Sequence, residues 1–495
     1  MYTNERTDKV AKLVSEGTPV TTATREVFGE LYNESIGRHY RRKFAEPEDV
    51  GQLKKAKRRK ARRSKIYMIT WGQNKTPVHF NFWKNLLTYK EHRKAQLHVI
   101  AGRYKNPTSV FKDVVDESWV AEITPYLDAN RQEITPYLSL LSDVKIQPTA
   151  SMPLTGLEGL SAQNSCIIGH PRVHLKSLPV LKGYPAKIMA TTGACTLPNY
   201  TDSKAGKKGE FHHSYGFVII EIESEDVFHI RQVVADKDGN FYDYGHKVED
   251  GIVSKNNECS AIVWGDLHYH NVNQEALDAT IEMTKELNAK FVVLHDAFDG
   301  ASVNHHAKRS AFHQQPIGLV DELIELSDFL KSQPFQFVVV KSNHDIWIDR
   351  WIEDADWKHD REKVEYLGLA MKIATGKCPN GVLPHYLERE LGDQVICLSE
   401  DDSFRIHEYE LAMHGHIGVN GARGFPTSFK MLNTKNITGH THSPVRIDGH
   451  LAVGALTDRY QSYSKGATAA MHSNVIVYPN GKAQHINIIN GRYKI

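Results

Sequence analysis

Residues 261–268, which read AIVWGDLH, decide the fold of this chain. Ala261 to Trp264 form a short apolar run that predicts a buried strand. The polar residues Asp266 and His268 follow it directly, and alternate residues of extended chain point to the same side. The stretch therefore predicts an α/β domain with a polar site at the carboxyl end of a strand.

Four more blocks of donor residues follow this one. Apolar runs at 291–294 and 335–340 predict the next two strands, and amphipathic segments at 273–287 and 320–330 predict helices between them. The donors are carboxylate, amide and imidazole groups without thiolates, which suits Mn, Fe or Zn and argues against a structural zinc site. The four blocks are HDAFD at 295–299, SNHD at 342–345, MHGH at 413–416 and GHTH at 439–442.

Taken in order, the five blocks resemble the calcineurin-like metallophosphoesterase superfamily. Its pattern runs D-x-H, G-D-x-x-D, G-N-H-[D/E], H and G-H-x-H, and the resemblance covers about residues 258–485. It implies that residues 251–495 form a domain of β-sheets flanked by helices. It also implies hydrolysis of a phosphoester with two divalent metal ions, for which we expect Mn, with Fe, Zn or Mg as alternatives.

The resemblance assigns a role to each donor. It implies that one metal is bound by Asp266, His268, Asp296 and His442. The other would be bound by Asp296, Asn343, His414 and His440, with Asp296 shared between them. Two cations held in this way lie about 3.5 to 4 Å apart and generate a bridging hydroxide that attacks phosphorus. His344 resembles the catalytic histidine, and a carboxylate of Asp345 or Asp266 is expected to orient it.

The sequence departs from the family pattern at two positions. His295 and Ser342 stand where glycines are usual, so each adds a side chain where backbone normally passes close to the site. We therefore expect substrate access to differ more than metal binding. His416 competes with His414 for the ligand role, and we favour His414.

Three neighbouring residues have weaker assignments. Asp299 is expected to support its loop rather than bind metal. Arg423, in the loop after His414, is a candidate phosphate contact through its guanidinium, and an exposed loop arginine is the alternative. Trp347 is expected to pack in the core rather than stack on a base.

The first 65 residues carry a strong positive charge. They hold 17 Lys and Arg against 9 Asp and Glu, a net charge of +8, whereas the remaining residues sum to −6. Three short helical patterns in residues 1–50 resemble a helix-turn-helix domain, with Ile36 and Tyr40 of the third pointing inward. Residues 51–65 form a basic linker. The candidate DNA contacts are Arg38, Arg41, Arg42, Lys43, Lys54, Lys55, Arg58, Arg59, Arg62 and Arg63. The alternatives are a solvated linker and a helical bundle that only docks on the protein.

Residues 66–250 predict a second α/β domain of unknown role. A strand, a helix and a strand between Ile66 and Ala101 form a β-α-β unit, which indicates a parallel sheet. Apolar runs at 166–168, 187–190, 217–222 and 227–234 are expected to extend this sheet. Lys204, Lys207 and Lys208 lie in a segment that we interpret as a loop able to bind a phosphate or DNA backbone.

The composition excludes several classes of protein. Of 495 residues, 40% are hydrophobic and 24% charged, as in soluble globular proteins. No apolar run approaches the roughly 18 residues of a membrane span, and the polar first residues lack a signal core. We expect a cytoplasmic protein. The five cysteines are scattered and are expected to be buried free thiols.

The substrate is inferred from the appended basic parts, because the superfamily uses one metal centre on many phosphoesters. A cationic helical domain and linker suit a polyanion, which favours DNA. Within the superfamily the nearest analogue is the nuclease subunit of double-strand-break repair complexes, although the domain order here is reversed. We interpret this order as indicating a phage-encoded DNase that acts in the host cytoplasm, and we expect a homodimer or a higher homo-oligomer, since related nucleases often dimerise. The alternatives are a protein or small-molecule phosphatase or phosphodiesterase, and a non-catalytic DNA-binding regulator.

Overall fold

The computed structural model describes residues 4–16, 18, 20–31, 36, 40, 65–104, 118–304, 317–354, 358–359, 363–432, 434–461 and 466–494. The chain divides into two compact units, Met1–Arg59 and Lys60–Ile495. The second unit contains every strand of the described chain. Within those described ranges, no helix combines the length and apolar character that crossing a bilayer requires.

The first unit is a small helical bundle. The helices Asn4–Ser15 and Val20–Phe28 precede a 3-10 turn at Gly29–Leu31. Val10, Phe28, Ile36 and Tyr40 are buried together, so the predicted inward placement of Ile36 and Tyr40 is confirmed. The predicted DNA contacts lie outside the described residues: Arg38, Arg41, Arg42, Lys43, Lys54, Lys55, Arg58, Arg59, Arg62 and Arg63.

The second unit begins with the predicted β-α-β unit. Ile66–Gln73 and Gln96–Gly102 pair in parallel, and the helix Phe80–Arg93 connects them. Gly216–Ile222 and Phe228–Val234 extend this sheet on one side, as predicted, but with antiparallel pairing. The order of the five-stranded sheet is Phe228–Val234, Gly216–Ile222, Ile66–Gln73, Gln96–Gly102 and Leu127–Asp128.

A six-stranded sheet carries three of the five donor blocks. Four of its strands are parallel and are joined by helices, as the apolar periodicity predicts. Its order is Val395–Leu398, Phe337–Val340, Val292–Leu294, Ala261–Val263, His472–Val477 and Ala483–Ile488. The connecting helices are Gln274–Glu286, Leu319–Ser332, Trp347–Asp354, Lys363–Ala374 and Val382–Leu391.

A ten-stranded sheet joins the two predicted α/β domains into one unit. The runs at 166–168 and 187–190 form strands, but these lie in this sheet and not in the first one. Because strands from both sides of residue 250 share the sheet, that residue is not a boundary between compact units. The order is Arg405–Ile406, Tyr409–Glu410, Lys435–Thr438, His450–Ala452, Val445–Ile447, Leu175–Leu178, Lys187–Thr191, Ser165–Ile168, Leu138–Leu140 and Gln132–Thr135.

Hydrophobic clusters cover both faces of the six-stranded sheet. On one face Val263, Val293 and Val338 pack against Ile437 and Leu451 of the ten-stranded sheet, and helices cover the other face. The fold class is therefore α/β, with several sheets flanked by helices, as predicted. Among the described residues, the remaining α-helices are Lys204–Phe211 and Pro426–Phe429, and the remaining strands form the sheet Phe241–Asp243, His246–Glu249 and Ile252–Lys255.

Candidate metal centre

Three donor blocks meet at one edge of the six-stranded sheet. The strands Ala261–Val263, Val292–Leu294 and Phe337–Val340 are parallel neighbours, so their carboxyl ends lie side by side. Each strand ends two to three residues before its first donor, and the backbone N–H of His268 donates to the carbonyl of Asp296 at 2.7 Å. The sheet thus fixes the separation of the donor loops.

Four of the seven predicted metal donors have left-handed backbone. The φ angles are +42° at His268, +41° at Asp296, +73° at His440 and +53° at His442. Residues with a Cβ rarely adopt this region, and such strain concentrates where function requires a particular side-chain position. The loops therefore hold these side chains in place against a local conformational cost.

The first donor set contains the four residues that the resemblance assigns to one metal. The Nε2 atoms of His268 and His442 lie 3.2 Å apart. His268 Nε2 is 3.4 Å from Asp296 Oδ2, and His442 Nε2 is 3.4 Å from Asp266 Oδ2. Two ligands that are each about 2.0 to 2.1 Å from a cation lie roughly 3.0 to 3.4 Å apart, so these spacings fit a single ion.

The second donor set is equally tight. Asn343 Oδ1 lies 2.9 Å from both His414 Nε2 and His440 Nδ1. His414 Nε2 is also 3.3 Å from Asp296 Oδ2. One oxygen of Asp296 therefore faces both sets, as a bridging carboxylate would.

The burial of Asp266 supports a cation in the first set. Both carboxylate oxygens are buried, and neither has a hydrogen-bond partner among the residues that the structure describes. Burial and the neighbouring Asp296 carboxylate raise the pKa of Asp266 to about 7. A buried carboxylate without donors is costly, and a bound cation offsets that cost. The donors present fit a divalent metal.

Gly439 packs against this carboxylate, and the position has no room for a side chain. A Cβ at this position would lie 2.1 Å from Asp266 Oδ1 and 2.9 Å from the Cβ of His295. The glycine of the last donor block therefore allows the loop that carries His440 and His442 to approach Asp266.

His344 contacts the first donor set, but the expected carboxylate does not orient it. Its Nδ1 lies 2.6 Å from the backbone carbonyl oxygen of Asp299, so the prediction that Asp345 or Asp266 orients the ring is wrong. The ring stacks on Trp347 with centroids 4.0 Å apart and meets the edge of His268 at 4.4 Å. A ring held through Nδ1 leaves Nε2 for a substrate.

Asp345 supports the loop after Asp296. Its Oδ1 accepts the backbone N–H of Phe298 at 3.1 Å, and burial together with the charge of Asp296 raises its pKa to about 7. We therefore reassign Asp345 from a catalytic to a positioning role. Ser342 assists it, because the Ser342 hydroxyl oxygen accepts the N–H of Asp345 at 3.2 Å.

The two departures from the family pattern are both hidden. His295 and Ser342 are 0% exposed, so neither side chain reaches a solvent-facing entrance. His416 lies beside His414 with ring centroids 5.3 Å apart, but only His414 contacts Asn343 and Asp296. The geometry favours His414 as the donor, in agreement with the expectation from sequence.

Arg423 is exposed, and its charge acts on His440 of the second donor set. Burial first, and then the charges of His414 and Arg423, lower the pKa of His440 to about 4. The Arg423 guanidinium also lies 5.8 Å from the Phe425 ring centroid. Its contact with a phosphate stays a prediction.

Asp299 and Trp347 are the residues whose importance the sequence understated. Besides holding His344, Asp299 places its Oδ1 3.3 Å from His268 Nδ1. Asp299 is the second Asp of the H-D-x-x-D block, and its place in that motif was the feature of the sequence that indicated its importance. The stacking of Trp347 on His344 needed the tertiary structure, since a buried tryptophan in a helix is ordinary.

We expect Asp299→Ala to weaken metal binding by about 10- to 100-fold, because a group that orients a metal-binding histidine has effects of this size. The first metal should be affected, since Asp299 faces His268. Competition with a fluorescent chelator measures the Mn affinity. Asp321→Ala, an exposed acid on the helix Leu319–Ser332, is the control and should bind Mn like the wild type. Equal affinities for both variants would contradict the assignment.

The chain was compared with known proteins by sequence and by structure. No protein-family model matches it, and no solved structure matches it. It is 30% identical over 469 residues to Protein A1 of Escherichia phage T5, covering 87% of this chain and 83% of that protein. A phage relative is consistent with the phage context expected from the order of domains. The chain therefore belongs to the family of phage T5 Protein A1.

Proposed function

We propose that this protein is a two-metal-dependent phosphodiesterase that hydrolyses DNA. The observation that carries the proposal is the placement of Asp296 Oδ2 within 3.4 Å of ligand atoms in both donor sets. A shared carboxylate is the feature that distinguishes a two-metal site from two separate sites. The order of the donor blocks, which resembles the calcineurin-like metallophosphoesterases, supports the same reading.

The chain's own residues have distinct tasks in this mechanism. When bound, two divalent ions, for which Mn is our first choice, would activate water and neutralise charge on the phosphate. Asp296 holds the two donor sets together, and Arg423 is available to bind a non-reacting phosphate oxygen. His344 donates its Nδ1–H to the Asp299 carbonyl, and in the imidazolium form its Nε2–H would stabilise the transition state or protonate the leaving oxygen.

The preference for DNA is supported by the basic first 65 residues. A net charge of +8 suits a polyanion and has little use for a small phosphomonoester. Two other hypotheses are tested alongside it: a protein or small-molecule phosphatase or phosphodiesterase, and a regulator that binds DNA without cleaving it.

A substrate panel tests the proposal. Purified full-length protein is freed of metal with EDTA and dialysed, then supplied with Mn, Mg, Zn or Fe and labelled linear or circular DNA. A phosphoprotein, a nucleotide monoester and bis(p-nitrophenyl) phosphate are offered in parallel. We expect cleavage of DNA and of the aryl diester only after metal is restored, with Mn the most effective. Hydrolysis of monoesters alone would support the phosphatase, and binding of DNA without any hydrolysis would support the regulator.

A further inference from the structure

A second polar cavity lies in the same unit as the metal centre. It has a volume of about 630 Å³, and none of the seven metal donors lines it. Its walls come from the segments 211–214, 405–409, 430–435 and 446–449, with single residues from elsewhere. Six cations line it, namely Arg172, Arg405, Lys430, Lys435, Arg446 and Lys482, against the two carboxylates Glu408 and Asp448.

Both carboxylates of this cationic cavity are already engaged. Asp448 Oδ1 accepts from Arg172 Nη1 at 2.7 Å and lies 3.0 Å from His174 Nε2. Glu408 forms an ion pair with Lys435. Neither acid forms an ion pair with the other four cations of the cavity in the described part of the chain.

The other four cations have only neutral partners among the described residues. Arg405 Nη2 contacts the Thr434 hydroxyl at 3.3 Å, and Lys430 Nζ lies 3.6 Å from Met152 Sδ. Arg446 is only 5% exposed, and its Nη1 donates to the Ala483 carbonyl at 3.2 Å. No ion pair with a carboxylate is found for these residues or for Lys482 within the described part of the chain.

Arg446 also carries an unused donor. Its Nε is buried and has no hydrogen-bond partner among the residues that the structure describes. Burial lowers the pKa of Arg446. Burial and the charge of Lys435 lower the pKa of Lys482, although the charge of Glu408 opposes this shift. Arg446 is the buried member of these four cations, and a buried charge with an unused donor and no carboxylate partner is costly. A bound anion offsets this cost. The excess of cations and the unused Arg446 donor therefore favour binding of an anion in this cavity.

An exposed aromatic ring stands at the rim of the cavity. Phe211 is 83% exposed although it lines the cavity, and it ends the helix Lys204–Phe211. This segment was predicted as a phosphate-binding loop; it is instead a helix capped by Ser203, whose hydroxyl accepts the N–H of Gly206 at 3.1 Å. An exposed ring beside a cationic groove is the arrangement with which proteins bind single-stranded nucleic acid, by stacking on a base.

We propose that this cavity binds the phosphodiester backbone of single-stranded DNA and that Phe211 stacks on an unpaired base. The choice of DNA among polyanions rests on the proposed function. His442 and Asp448 are six residues apart, so they are separated by at most about 20 Å of extended chain. Roughly six nucleotides at a rise of about 3.4 Å span that distance, so the two sites are close enough for a single short strand.

The test compares two triple variants of the full-length chain. The first, Arg405→Ala/Lys430→Ala/Lys482→Ala, removes uncompensated cations from the cavity. The control, Lys285→Ala/Lys290→Ala/Lys377→Ala, removes three exposed lysines elsewhere. Fluorescence anisotropy with a labelled mixed-sequence single strand in EDTA measures binding without cleavage.

We expect the cavity variant to bind single-stranded DNA at least about tenfold more weakly than the wild type. The slope of log K against log salt concentration should become shallower by about 2, since each lost phosphate contact contributes roughly 0.7. The control should stay within about twofold of the wild type, and melting temperatures establish that all variants are folded. Equal binding by the cavity variant and the control would overturn the cavity as a DNA site. Hydrolysis of bis(p-nitrophenyl) phosphate is measured separately, so absence of catalysis in the wild type would count against the proposed function and not against this cavity.

Phe211 is tested by a matched pair of substitutions. Phe211→Ala should weaken single-strand binding about tenfold, a typical effect of losing one stacked base, whereas Phe211→Trp should preserve it. Duplex DNA of the same sequence should bind both variants alike. Unchanged single-strand binding by Phe211→Ala, or an equal loss on duplex DNA, would overturn the stacking role.

Discussion

Replacing Asp296 with asparagine is expected to reduce DNA hydrolysis by at least about 1000-fold and to weaken the binding of both metal ions. Removing one preorganised electrostatic group already costs about 100- to 1000-fold in many enzymes, and Asp296 serves two donor sets at once. Asparagine retains the shape of the side chain and tolerates the left-handed backbone at this position, where φ is +41°. The loss can thus be attributed to the carboxylate charge.

The other donors provide the comparison for Asp296. Asp266→Asn should weaken one metal site, and Asn343→Ala the other, because each belongs to a single set. Titration calorimetry with Mn resolves the number of ions bound, and thermal unfolding establishes that each variant is folded. A bridging role for Asp296 is contradicted if its variant loses only one ion, or if it binds two ions with wild-type affinity.

The local elements of the fold were predictable from sequence because they depend on local periodicity. Strands at 261–264, 291–294 and 335–340 and the helices between them follow from apolar patterns, and the structure has each of them within a few residues. Which strands pair with each other was harder to predict from the sequence. An apolar run such as Ser165–Ile168 indicates burial, but not which of two sheets receives it, since that is decided by contacts distant in sequence.

The candidate site was likewise predictable only in part from the sequence. The donor types could be recognised in the sequence, and the resemblance to the metallophosphoesterases assigned them to two sets, each of which the structure brings together. The group that orients His344 could not be read in this way. It is the backbone carbonyl of Asp299, and every residue carries a carbonyl, so only the tertiary position of the loop selects it.

Replacing His344 is expected to slow DNA hydrolysis strongly, and the size of the loss should depend on whether the leaving oxygen needs a proton. Loss of a general acid costs about 100- to 10,000-fold when the leaving oxygen must be protonated, as for the sugar oxygen of DNA. Nitrophenolate leaves without protonation. We therefore expect His344→Asn to lose activity by this factor on DNA but by less than about tenfold on bis(p-nitrophenyl) phosphate. Asparagine keeps an N–H for the Asp299 carbonyl, so the loop contact is preserved.

Metal binding and the neighbouring aromatic ring separate this role from a structural one. Because His344 belongs to neither donor set, His344→Asn should bind two Mn ions with near wild-type affinity, unlike Asp296→Asn. Trp347→Phe keeps an aromatic ring under the imidazole and should retain most activity on both substrates. An equal loss on DNA and on the aryl diester would show that His344 stabilises the phosphoryl group rather than the leaving oxygen. Loss of a metal ion from the His344 variant would instead make it a ligand, a role that its closeness to His268 and Asp296 allows.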